Sequence, residues 1–123
     1  MKQPRPKNLN LFTIHFPLPA IVSILHRISG AILFILIPFI LLGLQFSLTD
    51  TGYETLGNWV DNVCVKFIIW LFLIPFIFHL VAGIRHLLSD IHIGDTLKMG
   101  RSMAVLTFII SALLVILAGV WLW

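Results

Sequence analysis

Two short stretches place reactive side chains inside apolar sequence. SILHRISG, residues 23–30, opens a long uncharged run and holds a hydroxyl (Ser23), an imidazole (His26) and a guanidinium (Arg27) within about one helical turn. FHLVAGIRH, residues 78–86, carries His79, Arg85 and His86. An imidazole can ligate a metal or relay a proton, a guanidinium binds carboxylates in a fork, and a serine hydroxyl can donate to a carbonyl-type oxygen. Such groups are costly in hydrocarbon, so each becomes a functional candidate if the chain around it spans a membrane.

The surrounding sequence requires that it does. The chain has 123 residues, of which 59% are hydrophobic and 11% charged. Residues 28–48, 67–84 and 102–123 contain no Asp, Glu, Lys or Arg. Each run meets or approaches the roughly 18–20 residues with which a helix crosses a bilayer core. In lipid a helix satisfies its own backbone, so an all-α membrane protein with three transmembrane helices is expected, at about 19–48, 59–88 and 101–122. Residues 1–123 read as one domain. The opening MKQPRPKNLNLFTIHFPLP is polar and proline-broken, so no cleavable signal peptide is expected. A single cysteine, Cys64, excludes an intrachain disulfide and an iron–sulfur cluster ligated by thiolates of this chain alone. Neither a dinucleotide fingerprint, a phosphate loop nor a charge run suited to nucleic acid is present.

Charge along the chain sets an expected orientation. Lys2, Arg5 and Lys7 precede the first span, and Lys98 and Arg101 follow the second, whereas Asp50, Glu54 and Asp61 lie between the first two. Short basic loops stay in the cytoplasm, which places the N-terminus inside and the C-terminus outside. Tyr53, Trp59, Trp121 and Trp123 then fall at the outer interface as an aromatic belt. Pro19 suits a helix start, and Pro38 and Pro75 are expected to kink the first and second spans. In the third span Ala104, Ser111 and Ala118 recur every seven residues with Ala112 and Gly119 alongside, a seam for close helix approach.

Within the spans each ionisable side chain has a plain alternative. Lys66 can extend its stem to the headgroups, and Arg85 and His86 can do so at the other end of the second span or complement its C-terminus. His79 lies six residues before Arg85, roughly 9 Å deeper along the helix, where an imidazole cannot reach water. It needs a hydrogen bond from a neighbouring helix, a metal, or a wet cavity. Ala82 and Gly83, at its i+3 and i+4 positions, read as a shaved surface with room for a flat cofactor, which favours haem ligation. Ser23, Arg27 and Gly30 recur at i, i+4 and i+7 with His26 adjacent, a polar face expected to line a pocket near the inner membrane surface. Arg27 could instead pair with lipid phosphate, with Ser23 a small packing residue; the neighbouring His26 favours the pocket.

The motifs S-x-x-H-R-x-S (Ser23, His26, Arg27, Ser29) and H-x-x-x-G-I-R-H (His79, Gly83, Ile84, Arg85, His86), followed by Asp90, resemble the signatures of the succinate dehydrogenase cytochrome b family, the larger membrane anchor of respiratory complex II. The lead-in RPKNLNLFTIHFPLPA is similar as well, so the likeness covers nearly the whole chain. Ser89, His92 and Lys7 depart from the family pattern. The resemblance implies that His79 is an axial ligand of haem b iron and that Ser23 and Arg27 line a ubiquinone site. It also implies that Arg27 and His26 lie near a haem propionate. The implied partners are a smaller membrane anchor supplying the second haem ligand, an iron–sulfur subunit and a flavoprotein. The expected location is a bacterial inner membrane, with the mitochondrial inner membrane as the alternative.

The expected function is therefore a non-flavin anchor subunit that passes electrons from an iron–sulfur partner to ubiquinone. A chain with no flavin motif and no cluster ligands must receive its electrons from elsewhere. The alternatives are the anchor of a quinol:fumarate reductase and a haem-free scaffold that only docks a soluble dehydrogenase.

Overall fold

The computed structural model describes residues 15–94 and 96–123. Among them all regular structure is helical: α1 (Leu18–Ser47), α2 (Gly52–Val60), α3 (Val63–Asp90) and α4 (Leu97–Leu122). Three of these, α1, α3 and α4, are long and apolar enough to cross a membrane. They run up, down and up, so α2 and the C-terminal tryptophans share one end and the α3–α4 loop lies at the other.

Local chemistry explains the ends. Pro17 is the extended N-cap of α1 and Pro19 sits in its first turn, where a missing N–H costs nothing. Pro38 and Pro75 lie inside α1 and α3, each of which continues through its proline as one helix. The second span begins at Val63 rather than near residue 59. Asn62 takes an extended conformation and its side chain accepts the Cys64 N–H at 2.8 Å, which starts a new helix. Trp59 and Val60 instead close α2, a short helix between the first two spans. The Trp59 ring lies over Phe46 of α1, centroids 6.1 Å apart. The third span starts at Leu97 rather than 101, because the Thr96 hydroxyl caps the Met99 N–H at 3.2 Å. Lys98 and Arg101 are helical residues at an exposed end.

The α3–α4 turn uses two left-handed residues, His92 (φ 63°) and Gly94 (φ 94°). That region suits Gly94, which has no Cβ, and is uncommon for a residue such as His92.

Helix α3 is the centre of the packing, touching α1 on one side and α4 on the other, and α1 also meets α4. The fully buried core is small: Val22, Ala82 and Ala104, with Leu18, Phe78 and Phe108 packed around them. Ala82 thus brings helices together and is no open slot for a cofactor, contrary to the sequence expectation. The small-residue seam of α4 does face its neighbours, with Ala104, Thr107 and Ser111 buried. Further along it, the Trp70 indole N–H donates to the Val115 carbonyl at 3.0 Å and covers Gly119. Large apolar side chains point outward instead, Phe34 with 76% and Trp121 with 82% of their surface exposed. On a membrane-spanning bundle that surface meets acyl chains or partner helices.

Candidate functional site

The two motif stretches meet where α1 crosses α3. His79 and His86 are seven residues apart on α3, roughly 10 Å along its axis, and the His26 ring enters from α1 between them. Its centroid is 4.1 Å from that of His79 with the planes 11° apart, and 4.8 Å from that of His86 at 21°. Gly83 lies between the two α3 histidines, and a Cβ there would stand 3.4 Å from His26 Nε2. Gly83 therefore makes room for a histidine of this chain.

The hydrogen bonds around His79 fix its chemistry. His79 Nδ1 lies 3.0 Å from the His26 backbone oxygen and 3.1 Å from Ser29 Oγ. The Ser29 hydroxyl donates to that same oxygen at 2.8 Å. A carbonyl oxygen only accepts, so Nδ1 carries the ring proton and Nε2 keeps the lone pair. Ser29 has one hydroxyl hydrogen, already given to the carbonyl, so its oxygen can only accept from Nδ1–H. At His86 the Nδ1–H donates to the Ala82 carbonyl at 2.7 Å, one turn back on its own helix.

Ser23 and Arg27 follow α1 toward its start on a neighbouring face. Arg27 is exposed and Ser23 half-buried, and neither side chain bonds to another described residue. Being one turn apart, they place a hydroxyl and a cation on one helix face. Arg85 behaves otherwise: its Nε is buried without a partner, and the side chain borders a groove between α3 and α4 that Thr107 also lines. On the far side of Ser29, toward the membrane middle, a wider apolar groove of about 670 Å³ lies among Leu25, Ile32, Phe72, Pro75, Phe108 and Val115. Ser111, whose buried hydroxyl lacks a partner, also lines it.

The structure thus brings His26 and His79 together and leaves Ser23 and Arg27 open on the adjoining surface. Ser29, only a motif letter in the sequence, joins the site, and so does His86, for which the sequence favours a helix-end role. Ser29 was detectable as the i+3 neighbour of His26, hence on its face.

These residues fit a haem. The imidazoles are stacked rather than convergent, and no group of three or more His, Cys, Asp or Glu among the described residues is placed to hold a bare metal ion. His79 would hold such a group through Nε2, since its other ring nitrogen is already hydrogen-bonded, as that of a ligating histidine is.

Comparison with known proteins shows the family. The chain matches the family described as succinate dehydrogenase/fumarate reductase transmembrane subunit over residues 1–118. It is 40% identical to the succinate dehydrogenase cytochrome b556 subunit of Coxiella burnetii across 100% of both chains. It is 34% identical to the protein of that name in Rickettsia bellii, over 76% of this chain and 74% of the relative. For the Paracoccus denitrificans protein of the same name the identity is 35%, over 73% and 70%. With its helices, motif geometry and relatives in accord, the chain belongs to the transmembrane-subunit family of succinate dehydrogenase and fumarate reductase.

Proposed function

We propose that this chain is the haem-binding, ubiquinone-reducing membrane anchor of a succinate dehydrogenase in a bacterial inner membrane. The observation that carries the reading is the His79 ring. Its Nδ1–H is bound 3.0 Å from the His26 carbonyl, which leaves Nε2 as a ready axial ligand. The relatives support the dehydrogenase over the fumarate reductase, since those compared carry the succinate dehydrogenase name.

His79 would hold the haem iron for this chain, with a further ligand from a smaller anchor subunit. Haem b would supply one-electron storage. Arg27, with His26 nearby, is suited to a propionate carboxylate through charge-assisted hydrogen bonds. Ser23 donates its free hydroxyl to a ubiquinone oxygen, and Arg27 adds positive charge where the quinone gains negative charge during reduction. The iron–sulfur and flavoprotein partners oxidise succinate and deliver the electrons. The N-terminus and the α3–α4 loop lie on the cytoplasmic side with those partners, and the C-terminus lies outside.

The test is the Ser23→Ala variant in the assembled complex. Quinone reduction is expected to fall about fivefold, the loss of one neutral hydrogen bond, while succinate oxidation by a soluble dye is retained. Equal loss of both activities, or loss of neither, would overturn the quinone assignment.

A further inference from the structure

Ser29 is only 3% exposed, in the middle of a membrane helix, and its hydroxyl is spent on two contacts at one point. It donates to the His26 carbonyl at 2.8 Å and accepts from His79 Nδ1 at 3.1 Å. A serine in a helix can satisfy itself on its own backbone alone. Here the carbonyl it uses is the one that also receives His79 Nδ1–H at 3.0 Å. The next residue, Gly30, lies under the same ring. A Cβ at this position would stand 2.9 Å from His79 Cε1 and 3.4 Å from Nδ1, closer than the ring permits without moving. The ring has no easy retreat, because His26 is stacked on it at 4.1 Å.

We infer that Ser29 and Gly30 are positioning residues for His79: Ser29 shares the Nδ1 proton with the His26 carbonyl, and Gly30 leaves the space that sets the plane of the ring. The inference rests on His79 being the haem ligand of this chain. Nδ1–H has two acceptors, both on α1, so the ring is fixed relative to α1 although it hangs from α3. An imidazole whose Nδ1–H is strongly hydrogen-bonded is a more electron-rich ligand, which favours ferric iron and lowers the haem potential. Gly30 acts through shape, by leaving room for the Cε1 edge of the ring against α1.

The experiment uses the whole membrane complex carrying Ser29→Ala, Ser29→Thr, Gly30→Ala, Gly43→Ala or His79→Ala. Each is examined by redox titration of the haem and by electron paramagnetic resonance of its ferric low-spin signal, which reports the planes of the axial rings. Ser29→Ala is expected to raise the midpoint potential. Ser29→Thr, which keeps a hydroxyl able to bond a carbonyl in the preceding turn, should restore it toward wild type. Gly30→Ala is expected to shift the low-spin g-values. Gly43→Ala, in the same helix but with nothing within 4 Å of the added methyl, should leave both signals unchanged. If Gly30→Ala fails to assemble, the Ser29 pair decides alone. Wild-type potential and g-values in Ser29→Ala, with His79→Ala losing the low-spin signal, would overturn the positioning role while leaving the haem ligand intact. A normal low-spin signal in His79→Ala would overturn the ligand assignment and the positioning role together.

Discussion

His26 meets His79 twice, through its ring, which lies flat at 4.1 Å, and through its backbone oxygen, which takes the His79 Nδ1 proton at 3.0 Å. These contacts separate under mutation. His26→Ala removes the ring and keeps the carbonyl, so Nδ1 of His79 retains an acceptor and Nε2 remains the ligating nitrogen. The expected result is a low-spin, six-coordinate haem with a shifted potential. An assembled His26→Ala complex with five-coordinate haem would make His26 itself a ligand. Visible and paramagnetic resonance spectra of the purified complex distinguish the two.

Arg27 is exposed and pairs with no described residue, so its charge is available to an external ligand. Arg27→Ala is expected to lower quinone reduction about tenfold or more, the scale of one lost charge-assisted hydrogen bond. Arg27→Lys should recover only part of that, because an ammonium cannot fork between two acceptors as a guanidinium does. Steady-state kinetics with a ubiquinone analogue provide the check. Full recovery in Arg27→Lys would reduce Arg27 to a generic positive charge.

Trp70 ties α3 to α4 through its bond to the Val115 carbonyl, and a methyl on Gly119 would stand 3.0 Å from the indole nitrogen. Trp70→Phe removes the hydrogen bond and is expected to cost about 0.6 kcal/mol, the mean for interhelical bonds in membranes. Gly119→Ala both displaces the indole and crowds the seam, so its cost should exceed that of Trp70→Phe. Thermal unfolding of the detergent-solubilised complex measures both. Equal stability of Gly119→Ala and wild type would show that the indole is free to move aside.

The sequence carried the spans because lipid imposes a length and a polarity that few other environments demand. It was poorer at their ends. The expected start at Arg101 lies just before the uncharged run, yet Thr96 caps α4 a turn earlier, and Lys98 at an exposed helix end has no reason to leave the helix. Helix α2 escaped notice because nine residues give too little periodic signal, and Asn62 was not recognised as a cap. At the site, the need of His79 for a partner was legible from its depth, and the His26 carbonyl and Ser29 hydroxyl meet it. The role of Ala82 was misread: a small side chain leaves space only if no neighbouring helix fills it, and here the core with Val22 and Ala104 does. The stacking of His26 between His79 and His86 was invisible for a related reason. It depends on how α1 and α3 cross, and spacing along one helix carries no information about the crossing of two.

The most direct measurement is the reduced-minus-oxidised visible spectrum of the purified complex, wild type against His79→Ala, with subunit content checked in the same preparations. His79 Nδ1 is held by the His26 carbonyl of another helix, whereas His86 Nδ1 bonds within its own helix, and the proposed ligand of the iron is therefore His79 Nε2. The expected result is a b-type low-spin signal in the wild-type complex that His79→Ala abolishes or converts to a five-coordinate form while the subunits remain together. An assembled His79→Ala complex with an unaltered low-spin signal would contradict it.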